Sequence, residues 1–473
     1  MKGLKKNLII NVSYQLFVVI IPLILAPYVS RTIGAEGAGI YSYTYSVSYC
    51  FALVGMLGVA NYGNRTIASI GSDIKKRSKA FWEIWSIQVA VSVMACMAYI
   101  IYCTFFNIEN KIIAYIQVIT VLCSVFDISW FFYGIEKFQI TVFRNLVVKL
   151  LNLILIFLFV KSRNDLNIYT LIMACGTLLN GLLLFPFLKK EITFVKPRWN
   201  SAKEHIKPIV ILFFPVIAIS IYKIMDKVMI GTLSTTIQTG YYEYAEKIIG
   251  LPGTVITAVG AVMLPRLAAL IGQNDDRKAK YLIQVTMEIM MCLTCAMACG
   301  IFGIANDFAS IFFGKEFAAS GLIMMGLAPA VLFQGWANVI RTQYLIPAEK
   351  DAIYVQSAWL GAIVNLIINA LLIPHFKALG AAIGTVCAEC AVASYQTYRI
   401  RRELPILNYL KQCIYYVVPS IFMIIAIKMI SNCLKVNSVI LLIAEIVIGG
   451  IIYVAVAAPF VLRRYRTLKG EKI

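Results

Sequence analysis

Ser438-Val-Ile-Leu-Leu-Ile-Ala-Glu445-Ile-Val-Ile-Gly-Gly-Ile-Ile-Tyr453-Val-Ala-Val-Ala-Ala-Pro459-Phe-Val461 carries one charged residue and is followed at once by Arg463, Arg464 and Arg466. Roughly 20 apolar residues wound as helix cross the ~30 Å hydrocarbon core of a bilayer. Apolar and polar residues do not alternate along this run, so it is no strand of a membrane barrel. The same pattern recurs along the chain. Fourteen such runs are read, near 8–30, 40–62, 81–103, 112–133, 142–161, 167–188 and 208–230. The remaining seven lie near 241–265, 283–305, 320–341, 352–374, 379–398, 412–432 and 438–461. The expectation is an all-α polytopic membrane protein with 14 transmembrane helices.

Composition agrees. Of 473 residues 60% are hydrophobic and only 14% are charged, against about a quarter charged in soluble domains. That excludes a cytosolic enzyme, a disulfide-stapled secreted domain and a disordered chain. The net charge of +20 would suggest nucleic acid in a soluble protein, but topology absorbs it. With a cytoplasmic N-terminus, 31 of the 43 basic residues fall in inner segments. Seven fall outside: Arg31, Lys111, Lys161, Arg163, Lys315, Lys377 and Lys435. This is the positive-inside asymmetry. It places both termini in the cytoplasm and leaves no nucleic-acid partner implied. Pro22 and Pro27 continue the first apolar run without a cleavage site, so it is read as a retained helix rather than a signal peptide.

The loops narrow the chemistry. The longest outer segment, near 306–319, is too short for a catalytic domain, which argues against a glycan polymerase or ligase. No GxxxxGK[ST] sequence is present, and Gly314-Lys315 lacks the rest of that motif. Cys292-Leu-Thr-Cys295 and Cys387-Ala-Glu-Cys390 have metal-like spacing, yet His205 and His375 are the only histidines. They read as small residues easing helix packing. No enzymatic activity, metal or cofactor is expected.

Two halves are visible. Gly39-Ile-Tyr41-Ser-Tyr43 and Gly240-Tyr-Tyr242-Glu-Tyr244 each open the second helix of a six-helix set. Pro22 and Pro215 lie in the leading helices, and Glu136-Lys137 and Glu349-Lys350 end the fourth helix of each set. Six is even, so the sets are parallel repeats around a central cavity, an arrangement suited to alternating access. The expected divisions are 1–188 (first lobe, six helices), 189–207 (basic cytoplasmic linker on lipid headgroups), 208–400 (second lobe) and 401–473 (two further helices and a basic tail).

A charge at the bilayer centre costs roughly 2.5–3.5 kcal/mol on insertion scales, so each one needs a reason. Lys223, Asp226 and Lys227 share one helical face, and Glu243, Glu246 and Lys247 share another, at i, i+3, i+4. Residue types leave two readings open: self-neutralising ion pairs, or a polar wall whose lysines attract an anionic headgroup. Asp127, Lys149, Glu288, Glu389, Lys428 and Glu445 are also embedded. For Glu389, Lys428 and Glu445, snorkelling or pairing near a helix end is expected. Lys149 fits a cavity or an interface equally. Tyr41, Tyr43, Tyr45 and Tyr49 offer ring faces suited to sugars or to interfacial anchoring.

Pro27-Tyr-Val-Ser-Arg31-Thr-Ile-Gly34, with Gly39-Ile-Tyr41 after it, resembles the opening of the polysaccharide-repeat flippases. These form the Wzx-type branch of the superfamily that also holds lipid II flippases and MATE exporters. Gly58-Val-Ala-Asn-Tyr62-Gly-Asn-Arg65, Asp226 with Gly231, Gly240-Tyr-Tyr242, Leu264-Pro265-Arg266, and Pro374 with Gly380-Ala-Ala-Ile-Gly384-Thr385 and Glu389 extend it across twelve helices. The resemblance implies transfer of an undecaprenyl-pyrophosphate-linked oligosaccharide from the inner to the outer leaflet by alternating access. It further implies membrane lipids and the glycosyltransferases and polymerase of the same pathway as partners. Arg31 and Arg65 match arginines that serve the lipid diphosphate. Tyr244-Ala-Glu246-Lys247 with Leu251-Pro252 is similar to a stretch of lipid II flippases that carries arginine where Lys247 stands, and lysine offers a point charge instead of a fork. Substrate binding is thus assigned to Arg31, Arg65, Lys247, Lys223, Lys227 and Lys149, and ion coupling (Na⁺, H⁺ or the membrane potential alone) to Asp226, Glu243 and Glu246. The alternatives are a lipid II flippase and a MATE-type exporter.

Overall fold

The computed structural model describes residues 2–106, 110–273, 275–433 and 437–470. Lys435 and Lys472 lie outside the described residues, as do the side chains before Ile20 and beyond Val461. The chain divides into two compact units, residues 1–228 and 229–473. The first contains α1 (Lys2–Met56), α2 (Val59–Ile70), α3 (Ile74–Phe105), α4 (Lys111–Ile116), α5 (Val118–Phe126) and α6 (Ser129–Gly134). It continues with α7 (Phe138–Phe159), α8 (Leu166–Leu182), α9 (Phe185–Leu188) and most of α10 (Trp199–Leu233). The second contains α11 (Thr236–Gly272), α12 (Asp276–Phe308), α13 (Ala318–Leu327), α14 (Ala330–Ile340) and α15 (Asp351–Ile400). It ends with α16 (Ile406–Cys413), α17 (Val417–Cys433) and α18 (Ser438–Gly470).

Among the described residues, 11 helical runs are long and apolar enough to cross a membrane, or 12 with one bent pair. The fold is therefore all-helical and polytopic, as the apolar runs predict. Two runs join what the sequence divides. Ile20–Ile70 is continuous over 51 residues and Asp351–Ile400 over 50. The first is broken at Gly34 (φ 72°) and again at the Leu57–Gly58 turn between α1 and α2, where Leu57 has φ 44°; the second is broken at Lys377 (φ 53°). Glycine enters that region freely, whereas lysine has a Cβ to accommodate.

The first unit packs on an aromatic core. Phe81 stacks on Trp130 at 5.5 Å and meets Phe131 edge-on at 5.2 Å. Ile84, Ile128, Phe132 and Ile209 complete it, all fully buried. The run 112–133, expected to be one helix, is interrupted between α5 and α6. Breaking a helix in an apolar bundle strands carbonyls that water cannot reach, and α3 supplies the donors. Gln88 Nε2 donates to Ser124 O (2.6 Å) and Asp127 O (3.0 Å), and Trp85 Nε1 donates to Val125 O (3.0 Å). Gln88 Oε1 in turn accepts from Trp130 Nε1 at 3.0 Å. The turn itself is held by Asp127, whose Oδ1 accepts from the Ser129 N–H at 3.1 Å and from the Ser129 hydroxyl.

Several local devices occur once in each unit. Asp73 caps α3 by accepting from Lys76 N (3.1 Å), and Asp275 caps α12 by accepting from Lys278 N (3.2 Å). The fourth-helix dipeptides adopt one geometry. Lys137 N donates to Phe132 O (2.9 Å) and Glu136 N to Tyr133 O (3.1 Å), while Lys350 N donates to Leu345 O (2.8 Å) and Glu349 N to Ile346 O (3.1 Å). This is the Schellman arrangement, with Glu136 (φ 58°) and Glu349 (φ 55°) in the left-handed place usually given to glycine. Lys137 then pairs with Glu191, and Lys350 with Glu403. Where α5 breaks from α6 in the first unit, α13 and α14 meet at a 44° bend in the second. Tyr41 meets Tyr169 of α8 edge-on at 4.8 Å, and the Tyr242 hydroxyl bonds Thr385 of α15 at 3.1 Å.

The basic segment 189–207 lies against α3. Arg77 donates to Glu191 O (2.7 Å), Trp82 Nε1 donates to Thr193 O (3.0 Å), and Thr193 N donates to the Ser78 hydroxyl (3.0 Å). His205 Nδ1 shares a 2.6 Å hydrogen bond with the Tyr62 hydroxyl, and its Nε2 stands 3.4 Å from the buried Glu83 carboxylate.

Candidate functional site

A cavity of about 470 Å³ opens within the first unit. One wall is the tyrosine row of α1: Tyr45 and Tyr49 line it, their rings 6.0 Å apart, with Tyr41 stacked on Tyr45 at 5.8 Å. The facing wall is polar. Thr120, Ser124 and Asp127 come from α5 and its broken end, Arg144 and Asn145 from α7, and Thr177 and Asn180 from α8. Apolar residues at and just past the end of α1, among them Leu53, Met56 and Leu57, line it too, as do Asn61 of α2 and Val216 of α10.

Small residues let these helices close round the space. A Cβ on Gly58 would stand 2.2 Å from Ile209 O, and one on Gly181 would stand 2.8 Å from the Phe126 Cβ. Arg144 is 9% exposed. It donates from Nη1 to Asn180 O (2.6 Å) and from Nη2 to Asn145 Oδ1 (3.0 Å). Burying a guanidinium without such acceptors would be prohibitive. Asp127 supplies the cavity's one carboxylate, close enough to act electrostatically on Tyr49. The Asn180 side-chain carbonyl is buried and meets no donor among the described residues.

The residues singled out from sequence lie elsewhere. None of Arg31, Arg65, Lys149, Lys223, Asp226 or Lys227 lines this cavity. Arg31 is exposed on α1 three residues before the Gly34 break, and Arg65 is exposed on α2. Lys149 is half-buried on α7 and Lys223 is exposed on α10; neither makes a hydrogen bond or ion pair among the described residues. Asp226 is 3% exposed and Lys227 half-buried. In the second unit Lys247 pairs with Glu243 at 3.3 Å and sits 4.2 Å over the Tyr244 ring. The i, i+4 pairing read from the sequence is thus present there, with Glu246 half-buried beside it.

Two embedded carboxyls take different courses. Glu389 is paired, accepting from Gln334 Nε2 at 2.8 Å. Glu445 is 0% exposed, with the Ser431 side chain of α17 close enough to act on its carboxyl. It does not snorkel, because α12 and α17 pack over the helix that carries it; its polar neighbour is that Ser431 side chain. Arg144, Asn145, Thr177 and Asn180 escaped the sequence reading, each being a single polar residue in or at the edge of an apolar run. Asp127-Ile128-Ser129 was the available signal, since an aspartate two residues before a serine favours a side-chain-capped turn.

Residues 4–271 match the family described as polysaccharide biosynthesis protein. A Shigella dysenteriae protein described as an O-antigen transporter is 23% identical over 407 residues, covering 84% of this chain and 100% of the relative. Its Escherichia coli (strain K12) counterpart is 20% identical over 409 residues, covering 85% and 97%. Among solved structures, the lipid II flippase MurJ in its inward closed conformation has a TM-score of 0.77 at 17% identity, covering 97% of this chain and 98% of that one. An inward-facing MATE multidrug resistance transporter of the MOP superfamily has a TM-score of 0.61 at 13% identity, covering 82% and 95%. At those identities the structural likeness speaks to the fold alone. The match through the whole first unit and into α11 carries the assignment: the chain belongs to the polysaccharide biosynthesis protein family.

Proposed function

We propose that this protein carries an undecaprenyl-pyrophosphate-linked oligosaccharide repeat unit from the inner to the outer leaflet of the bacterial plasma membrane by alternating access, for cell-surface polysaccharide assembly. The observation that carries this reading is likeness along nearly the whole chain to proteins described as O-antigen transporters, within a matched family. The lipid II alternative shares the fold at 17% identity, which does not favour it over a glycan-repeat substrate.

The finer architecture belongs to the same proposal. A 50-residue helix measures about 75 Å at 1.5 Å per residue, far more than one crossing needs. Dividing the runs at Gly34 and Lys377 and taking the bent pair as one span gives fourteen crossings. The paired caps, Schellman turns and Lys–Glu ties support two parallel six-helix repeats followed by two further helices. Both termini then face the cytoplasm, where the pathway's glycosyltransferases and polymerase would be neighbours.

In this reading Arg31, Arg65, Lys149, Lys223, Lys227 and Lys247 serve the lipid diphosphate, and Asp226, Glu243 and Glu246 couple transport to H⁺ or Na⁺. Leaflet assignment of the lipid-linked glycan in cells with and without the protein is the test. Inner-face accumulation on deletion is expected; outer-face accumulation would overturn the reading. Arg65→Ala and Lys247→Ala are expected to abolish export while membrane insertion persists.

A further inference from the structure

We infer that the cavity between the tyrosine row of α1 and the polar edges of α5, α7 and α8 is a recognition subsite for one uncharged sugar ring, a hexose or N-acetylhexosamine of the carried glycan. The inference rests on the proposed carriage of a lipid-linked oligosaccharide and deepens it. Its volume of about 470 Å³ lies within the roughly 300–1,000 Å³ of small-molecule sites.

Three observations select the ligand class. First, Tyr45 and Tyr49 present neighbouring rings along one wall, and the C–H face of a pyranose packs on such a surface while its rim of hydroxyls stays free. Second, the opposite wall is rich in groups that exchange hydrogen bonds with hydroxyls: one carboxylate, two amides and several hydroxyls. Asp127 is oriented for this. Its Oδ1 is committed to Ser129, while its Oδ2 meets no donor among the described residues. A rigidly held carboxylate oxygen is a strong acceptor for a sugar hydroxyl or an acetamido N–H. The Asn180 side-chain carbonyl is likewise without a donor among the described residues. Third, the lining carries one cation and one anion, Arg144 and Asp127. Arg144 already donates to Asn145 and Asn180. A diphosphate or uronate would meet the Asp127 carboxylate, so the pocket suits a neutral ring.

The decisive variant is Asp127→Asn. Asparagine keeps an Oδ1 to cap Ser129, but it replaces the open carboxylate oxygen with an N–H₂ donor. Tyr49→Leu removes a ring face without touching that turn. Native mass spectrometry of the purified full-length protein would compare undecaprenyl diphosphate with the same lipid bearing glucose, galactose, N-acetylglucosamine or N-acetylgalactosamine. The wild type is expected to prefer at least one glycosylated lipid over bare lipid by about tenfold, the worth of one hydrogen bond to a charged group. Both variants should bring that ratio close to one. No preference for any sugar in the wild type, or a preference that survives both substitutions, would overturn the subsite and leave the flippase reading standing. Sodium-dependent binding lost in Asp127→Asn without a change in sugar preference would make Asp127 a cation site and also overturn it. Failure of the wild type to bind any of these lipids would remove both readings.

Discussion

A single methyl group is enough to disturb the cavity wall at Gly58, where an added Cβ would stand 2.2 Å from Ile209 O. Backbone on the receiving side cannot swing away, so Gly58→Ala is expected to destabilise by about 1–3 kcal/mol, the usual scale of overpacking. A Cβ added at Gly250 would meet nothing within 4 Å, and Gly250→Ala should leave the melting temperature in detergent unchanged or higher. Glu445 makes the opposite case. A carboxyl at 0% exposure beside Ser431 and the like charge of Asp307 is costly to bury, so Glu445→Leu should stabilise by about 1–3 kcal/mol. A loss of stability in the same melting assay would mean that the Ser431 contact outweighs that cost. At this scale the sequence is least legible. Asp127 stands out as an embedded charge, but the break it holds depends on Gln88 and Trp85, residues of another helix. No local pattern announces a carbonyl that needs them.

Helices are legible because an apolar run long enough to span lipid has few alternatives. Their joints are not. Gly34 and Lys377 turn the chain without a polar loop, so neighbouring spans read as separate helices although their backbone runs on. The matching Glu-Lys dipeptides are the instructive exception. As two-residue coincidences they carry little, but in the fold each supplies a left-handed residue and a Schellman turn. An L-residue at φ near 55–58° carries strain of roughly 1–2 kcal/mol. Glu136→Gly and Glu349→Gly are each expected to stabilise by about 1 kcal/mol, read as a rise in melting temperature. The capping aspartates give a pH signature. The Lys76 N–H holds the Asp73 carboxyl below the ordinary range, and hydrogen bonds from the Lys278 side chain and N–H do the same for Asp275. A depressed carboxyl contributes fully above the unfolded-state value near 3.9 and loses its contribution as pH falls through the folded value. Asp73→Ala and Asp275→Ala should therefore lower melting temperature at pH 7, with the difference from wild type vanishing in strong acid.

For the whole molecule, the proposed topology and the proposed coupling each make a prediction. Fusing alkaline phosphatase to the C-terminus should give an inactive enzyme and fusing a fluorescent protein a bright one, if that end is cytoplasmic. A diphosphate of about two negative charges moving outward across 100 mV, inside negative, gains about 4.6 kcal/mol. Dissipating the potential should accordingly slow lipid-linked glycan transfer in sealed vesicles, and transfer indifferent to both potential and ion gradients would refute this coupling. The segment 189–207 has a further consequence. Six lysines and arginines (Lys189, Lys190, Lys196, Arg198, Lys203 and Lys207) make it, on paper, the natural entry point for trypsin. A protease must draw several residues of backbone into its cleft, and here Glu191, Thr193 and His205 are each fastened to the bundle. Cleavage in that strap should wait on its detachment, and a chain nicked there should still migrate as one particle until the detergent is harsh enough to part it.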